Sequence, residues 1–99
     1  MEQQNEQLAM DNLWDNAAEM YAQILKKRPQ LAQRINLVRT NSSPATVQIV
    51  PHYRETSYFT IDEMSDIIKC LKVEMLYRDV YCCISSWQEM PSIQIMEIK

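Results

Sequence analysis

Three cysteines and one histidine are the side chains of this sequence best suited to metal binding, redox chemistry or nucleophilic catalysis. Cys82 and Cys83 are adjacent and lie in a stretch rich in β-favouring residues, 80–87. Successive side chains of a strand point to opposite faces, so the two thiols cannot both bind one metal ion. A zinc site needs about four ligands, usually with a CxxC-type spacing that is not found here. We therefore predict that Cys82 is buried in the core, that Cys83 lies on the other face and that the pair binds no metal.

The single histidine, His52, is the remaining candidate for acid–base chemistry. A general base needs a positioned partner and a cleft, and Glu55 or Tyr58 lies close enough in sequence to supply the partner. No nucleophile motif accompanies it, so we interpret His52 as a surface or loop residue. Cys70 has no flanking motif that indicates an activated thiol. We predict no catalytic residue and therefore no enzymatic activity.

The sequence contains no glycine. Loops that bind phosphate groups need residues that adopt positive φ and allow a ligand to approach closely, and glycine supplies both. Neither a Walker A loop nor a dinucleotide-binding fingerprint can therefore be present. This excludes P-loop nucleotide hydrolases, kinases and Rossmann enzymes, and we expect no nucleotide or other cofactor.

The formal net charge of -3 conceals an acid–base–acid pattern along the chain. Residues 1–19 contain acids and no base, residues 20–54 contain bases and no acid, and residues 55–99 are again mainly acidic. Five bases of the middle stretch form a candidate nucleic-acid-binding segment, Lys26, Lys27, Arg28, Arg34 and Arg39. This basic segment can meet nucleic acid. It can equally dock against the acidic segments of the same chain, which is the interpretation that we favour.

Helical periodicity dominates the first part of the chain. Apolar residues between positions 8 and 28 fall on one face of a helix, and Pro29 ends it. Residues 1–7 are polar and acidic, so we expect a frayed or disordered N-terminus and no secretory signal peptide there. A second, shorter helix is predicted from Pro29 to about residue 39, on the spacing of Leu31, Ile35 and Val38.

The second part of the chain alternates strands with one more helix. Residues 46–50 have the period of a strand that ends at Pro51. Thr60 and Glu63 fit a capping box at the start of a helix that is predicted to reach about residue 77. Its predicted apolar face consists of Ile61, Met64, Ile67, Ile68, Leu71 and Met75. Two strands joined by a hairpin connection at 88–91 complete the chain, and their predicted core face consists of Val80, Cys82, Ile84, Ile93 and Ile95.

These elements predict a single α+β domain over residues 1–99, in the order α-α-β-α-β-β. A three- or four-stranded, mainly antiparallel sheet is expected to pack against the helices. The second face of this sheet carries Tyr81, Trp87 and Met96 among polar residues, a mixture that is too apolar for a plain solvated surface. Either a protein partner or a second copy of the chain covers this face, or the N-terminal helix does.

We therefore expect a small, non-catalytic, cytoplasmic protein–protein interaction module, of the kind found among inhibitors, immunity proteins and phage or mobile-element accessory proteins. Its partner-binding residues are Tyr81, Trp87 and Met96, and homodimerisation is one form that the binding can take. The cytoplasmic assignment depends on the odd number of cysteines. No apolar run approaches the roughly 20 residues that span a bilayer. The alternative is a nucleic-acid-binding regulator that uses the basic segment.

Overall fold

The computed structural model describes residues 2–39, 46–52 and 59–98, and the side chains from residue 12 onward within these ranges. Its elements are α1 (Glu2–Lys27), a 3-10 helix (Pro29–Gln33), β1 (Ile35–Arg39), β2 (Val47–Pro51), α2 (Ile61–Met75), β3 (Val80–Trp87) and β4 (Met90–Glu97). The four strands form one antiparallel sheet in the order β1-β2-β4-β3, with the helices packed against it. The predicted α+β class and antiparallel sheet are confirmed.

Helix α1 is longer than the sequence predicted. It begins at Glu2 and so includes residues 2–7, where a frayed N-terminus was expected. This stretch contains neither glycine nor proline and is rich in Glu and Gln, which are good helix formers. The buried positions of α1 follow the helical period and are Leu13, Ala17, Met20 and Ile24. The helix ends before Pro29, as predicted.

The stretch 29–39 is where the predicted secondary structure is wrong. Helical structure begins at Pro29 but lasts only five residues, as a 3-10 helix, and Ile35–Arg39 is a strand that pairs with β2. Ile35 and Val38 fit a helical spacing, but the apolar–polar–apolar order of Ile35, Asn36 and Leu37 fits a strand equally well. Ile35 and Val38 are also β-branched, which lowers helix propensity and favours strands. Pairing with β2 therefore decides the outcome.

The capping box of α2 is present as predicted. The Glu63 backbone N–H donates to the Thr60 hydroxyl at 3.1 Å, and the Thr60 backbone N–H donates to the Glu63 carboxylate at 2.8 Å. Ile67 and Leu71 are buried as expected, but Ile61 is 88% exposed, so its placement on the apolar face was wrong. Ile61 is the first residue of the helix and projects beyond the edge of the contact with the sheet.

Strands β3 and β4 form a hairpin whose turn consists of only two residues. Trp87 is paired with Met90, and the intervening Gln88 and Glu89 have φ values of 49° and 67°. Positive φ at both central residues is the signature of a type I′ turn, which normally contains Asn and Gly. The turn is thus formed by two residues that disfavour its backbone conformation.

One core lies between the helices and one face of the sheet. The register places Val47 opposite Ile95 and Ile49 opposite Ile93, and all four side chains are at most 2% exposed. The buried face of α1, together with Ile67, Cys70 and Leu71 of α2, packs on them. No helix in the described part of the chain is long and apolar enough to cross a membrane.

Candidate functional site

The adjacent thiols point to opposite sides of the sheet, as predicted. Cys82 pairs with Ile95 and packs against the core, whereas Cys83 pairs with Gln94 on the second face. Burial, with a smaller contribution from the neighbouring Cys83 thiol, raises the pKa of Cys82 to about 11. A thiol with such a pKa is almost wholly protonated at neutral pH and is a poor nucleophile. The side chain of Cys70 is buried in the core.

The other candidate reactive residues do not converge on a centre. Across residues 2–39, 46–52 and 59–98, no group of three or more His, Cys, Asp or Glu side chains could hold a metal ion. His52 is half-buried at the end of β2, where its backbone N–H donates to the Arg34 carbonyl oxygen at 2.8 Å. The residues considered as its partners, Glu55 and Tyr58, lie outside the described residues.

The basic segment is divided by the fold. Arg28 forms an ion pair with Asp66 of α2. Arg34 contacts Glu63 through two hydrogen bonds, of 2.6 and 2.9 Å, in a fork-like geometry. The three remaining bases, Lys26, Lys27 and Arg39, are exposed. Two of the five predicted nucleic-acid contacts are thus already engaged by acids of the same chain.

Glu63 combines two tasks that the sequence had assigned only in part. Its carboxylate caps α2 and also binds Arg34, 29 residues away. The hydrogen bond from Arg34 is the largest cause that lowers the pKa of Glu63 from 4.5 to about 2. Burial acts in the opposite direction, and the hydrogen bonds from Thr60 lower the pKa further. This cluster therefore fixes α2 against Arg34, the residue that ends the 3-10 helix.

Arg78 performs a similar structural task at the other end of α2, and no sequence signal indicated it. Its guanidinium donates to Asn16 at 2.8 Å and to Glu19 at 2.6 Å, so it joins the loop after α2 to α1. Glu74 lies 3.7 Å away on the same side. Because Asn16 and Arg78 are 62 positions apart, only the fold brings them together.

The second face of the sheet carries the predicted partner-binding residues. Tyr81 is directly opposite Met96, so these two form one cluster, and Tyr81 is 44% exposed. Trp87 pairs instead with Met90, next to the turn. Tyr81 and Trp87 lie six positions apart on β3, about 20 Å along an extended strand. Within one chain the three predicted residues therefore make two separate patches, at opposite ends of the hairpin.

Helix α1 does not cover this second face. Its buried residues belong to the core cluster on the opposite side, together with Ile49 and Ile95. The alternative that the N-terminal helix packs over Tyr81 and Trp87 is therefore wrong. Alternate residues of a strand face opposite sides, so a helix that packs on Ile95 cannot also contact Met96.

A buried polar pair lies at the centre of the second face. The Ser92 hydroxyl donates to the Gln48 side-chain carbonyl at 2.5 Å, and these residues are 0% and 6% exposed. Val50, on the same face, is 4% exposed. The accessible part of this face is accordingly the β3 side, where Tyr81 and the half-buried Trp87 and Met96 lie.

A second apolar surface lies beside α2. A groove of about 600 Å³ is lined mainly by apolar side chains of α2 and its N-terminal approach, with Pro91 of β4 on its other side. Lys69 and Lys72 flank it.

Ile84, predicted to be a core residue of β3, is 69% exposed, so that prediction was wrong. The helices cover the inner strands and leave the outer half of β3 uncovered at this position.

Comparison with protein-family models, with curated proteins and with solved structures gives no match to this chain. The functional assignment therefore depends on the geometry alone. Among the described residues this geometry comprises three internal ion-pair clusters, a half-buried thiol with a raised pKa, an apolar groove beside α2, and an edge strand, β3, with exposed apolar side chains on both faces. The groove and the edge strand are the two features that present apolar surface to another molecule.

Proposed function

We propose that this chain is a non-catalytic protein–protein interaction module, which binds through the β3 side of the second sheet face. The observation that carries the proposal is the placement of Tyr81 and Met96 as an accessible pair on the face away from both helices. Trp87 adds a second anchor at the turn end of the same strand. Aromatic residues and Met are enriched at protein interfaces, while isolated solvated surfaces rarely concentrate them.

The polar residues of this face suit the same role. Cys83, Ser85 and Gln94 lie between the two apolar patches and are half-buried. Such a mixture supplies apolar anchors surrounded by groups that hydrogen-bond, which is the usual composition of an interface between separately stable partners. An obligate core would be more uniformly apolar, as the buried side chains on the opposite face of this sheet are.

A small protein of this design acts by occupying a surface of its target, as inhibitors, immunity proteins and phage or mobile-element accessory proteins do. We place that action in a reducing compartment such as the cytoplasm. The support is that Cys70, Cys82 and Cys83 are all free thiols. Cys83 in particular lies on the proposed binding face, where oxidation would alter the contact.

The nucleic-acid alternative has less support. Ion pairs with Asp66 and Glu63 occupy Arg28 and Arg34, so binding phosphates through them would require breaking both. Lys26, Lys27 and Arg39 alone would give a weak and strongly salt-dependent association. If a labelled oligonucleotide bound with an affinity that fell steeply with salt, and charge reversal of Lys26 and Lys27 abolished it, this alternative would replace ours.

The test of the proposed function is capture from the native cell with the chain as bait, followed by identification and reconstitution of the partner. The Tyr81→Ala/Met96→Ala double variant should lower the affinity of the purified partner by at least about tenfold. Ile61→Ala is the matched control, because Ile61 is exposed and apolar but belongs to α2. Equal loss in the control, or an unchanged affinity in the double variant, would exclude this face as the binding site. Circular dichroism must show that each variant is folded.

A further inference from the structure

We infer that the free edge of β3 pairs antiparallel with β3 of a second copy, around a two-fold axis through Ile84. The two sheets would then form one eight-stranded sheet. This inference rests on the proposed function and deepens it, because the second copy is named as an occupant of the β3 side. Four features of the molecule support it.

The first feature is the contrast between the two sheet edges. β3 is an edge strand of eight residues without a charged residue or proline, in the sequence VYCCISSW. The other edge, β1, has five residues, ends at Arg39, and has the Leu37 backbone N–H bonded to the Asn36 side chain at 3.0 Å. Short length, charge and local satisfaction of backbone groups are the means by which proteins prevent edge pairing. β3 is neither short nor charged.

The second feature is the direction of the β3 backbone groups. The residues that flank a two-residue hairpin turn exchange backbone hydrogen bonds. The N–H and C=O groups of Trp87, and of every second residue before it, therefore point toward β4. The Asp79 carbonyl, which accepts from Ile98 at 3.1 Å, agrees with this alternation. The N–H and C=O groups of Cys82, Ile84 and Ser86 consequently point outward.

Contacts from the described residues leave most of the outward groups at this edge available. The Cys82 N–H donates to the Met75 sulfur at 3.3 Å, which confirms its outward direction. A thioether is a weak acceptor. Exchange of this sulfur for a backbone carbonyl of a second copy would strengthen the hydrogen bond at Cys82 and add those at Ile84 and Ser86.

The third feature is the register that these groups allow. In an antiparallel pair, outward-pointing residues of one strand must lie opposite outward-pointing residues of the other. For two copies of Val80–Trp87, two registers of equal overlap satisfy this rule, one with Cys83 opposite Cys83 of the second copy and one with Ile84 opposite Ile84. The second is favoured because it alone places the exposed Ile84 opposite its counterpart and Tyr81 opposite Trp87. Cys82 then lies opposite Ser86 of the second copy, and Ser86 lies opposite Cys82 of the second copy.

The fourth feature is what this register does to the side chains. Ile84, 69% exposed in one chain, meets its own counterpart on the helix side. On the second face, Tyr81 comes opposite Trp87 of the second copy. The two patches that are about 20 Å apart within a chain thereby join across the axis into a row that also contains Met96 and, from the second copy, Met90. Aromatic cross-strand pairs are among the more stabilising ones.

The contact between the two β3 strands is apolar and small, and these two properties predict the salt dependence and the affinity of the dimer. No charge lies on β3, so added salt should not weaken the dimer, in contrast to a nucleic-acid complex. One pair of edge strands buries less than the roughly 1,200 Å² of a standard interface, so we expect a dissociation constant in the micromolar range. Exposed apolar side chains at the end of α2 lie near this edge and can add to the contact, namely Val73, Leu76 and Tyr77.

The experiment is sedimentation equilibrium on the full chain from roughly 1 µM to 1 mM, with wild type, Ile84→Lys and Ile61→Lys. Ile84→Lys places two ammonium groups at the axis and should raise the dissociation constant at least about tenfold. Both sites are exposed, so both variants should fold. Ile61→Lys should dimerise like wild type. A wild type that stays monomeric throughout, or an Ile84→Lys variant that dimerises normally, would overturn the inference.

The register is tested by a disulfide. Ser85 would lie opposite Cys83 of the second copy, at a pair without hydrogen bonds, where the Cα atoms approach to about 4.5 Å. Ser85→Cys with oxidised glutathione as the electron acceptor should give a covalent dimer, and Ser85→Cys/Cys83→Ser should not. Wild type should not cross-link either, because its Cys83 meets a second cysteine only in the register that places Cys83 opposite Cys83. Cross-linking of wild type, or equal cross-linking of the two Ser85 variants, would show a different register and overturn the one inferred here.

The outcomes separate this inference from the proposed function. If wild type is monomeric but Tyr81→Ala/Met96→Ala loses a purified partner, the second-copy inference fails and the proposed function stands. If the dimer forms in the inferred register but the double variant keeps its partner, the binding face of the proposed function fails and the dimer stands.

Discussion

The two faces of the sheet differ in the side chains that they bury, although they are formed by the same strands. On the helix-covered face the buried side chains are apolar, and Val47, Ile49 and Ile95 are 0% exposed. These side chains supply the hydrophobic stabilisation. The second face buries the polar Ser92 and Gln48 and leaves Tyr81 44% exposed. The second face alternates apolar with polar groups and includes the Ser92–Gln48 hydrogen bond. Neighbouring residues of one strand can therefore carry stability and recognition separately.

The largest expected effect is on the covered face. Ile95→Ala should lower the free energy of unfolding by about 2–5 kcal/mol, because it leaves a cavity in a fully buried site. The adjacent Met96→Ala, on the second face, should cost less than about 1 kcal/mol. Urea denaturation of both variants measures the difference. Similar losses for the two substitutions would mean that the second face is as tightly packed as the first.

The next effect concerns the ion pair that holds α2 on the covered face. The pKa of Glu63 is lowered from 4.5 to about 2, so its stabilisation is complete above about pH 4.5 and disappears as the pH falls toward 2. The loss amounts to at most about 3 kcal/mol. Glu63→Gln should be less stable at neutral pH and should show a smaller decline over this range.

Urea denaturation at several pH values between 2 and 7 measures the decline attributed to Glu63. Asp62→Asn is the control, since Asp62 is exposed in the same helical turn. It should change stability by less than about 1 kcal/mol. A Glu63→Gln variant with the wild-type pH dependence would assign the acid sensitivity to other carboxylates.

A smaller effect is expected at the polar centre of the second face. Ser92→Ala removes the donor to the buried Gln48 carbonyl and should cost about 1–3 kcal/mol. Ser85→Ala, at a half-buried serine directly opposite on β3, should cost less than about 1 kcal/mol. Thermal unfolding compares them. Equal costs would indicate that the Ser92 hydroxyl contributes no more than an ordinary surface group.

The smallest effect is a difference in reactivity between the thiols on the two faces, and it involves no change in stability. A thiol reagent at about pH 8 should modify Cys83 well before Cys82, whose raised pKa of about 11 leaves it protonated and which packs against the core. Mass spectrometry of peptides after a time course identifies the order of labelling, with Cys83→Ser as the control. Faster labelling of Cys82 would contradict the assigned faces.

The features that could be predicted from the sequence are those set by local chemistry. The Thr60–Glu63 capping box, the end of α1 before Pro29 and the opposite orientations of Cys82 and Cys83 depend on neighbouring residues. The antiparallel hairpin also follows from strand period and turn spacing. The face that carries the candidate site could be predicted for the same reason, because alternation along the strands decides on which side Tyr81 and Met96 lie.

The features that could not be predicted depend on pairing between distant segments. The strand at 35–39 forms because β2 lies beside it, and a segment of five residues is too short for its period to separate strand from helix. Ile61 is exposed because it is the first residue of α2 and projects beyond the contact with the sheet. Ile84 is exposed because the helices leave the outer half of β3 uncovered. The periodicity of the sequence reveals neither. The separation of Trp87 from Tyr81 is not of this kind, because six positions along an extended strand already imply about 20 Å.

The two-residue turn at Gln88 and Glu89 has a kinetic consequence. A left-handed backbone without glycine or asparagine costs about 1–2 kcal/mol per residue, so the bend gives little help in nucleating the hairpin. We therefore expect the strands to pair first and the bend to close afterwards. Replacing the pair by Asn-Gly should raise stability, and stopped-flow measurements will show whether the gain appears as slower unfolding, as expected for a bend that forms after the rate-limiting barrier.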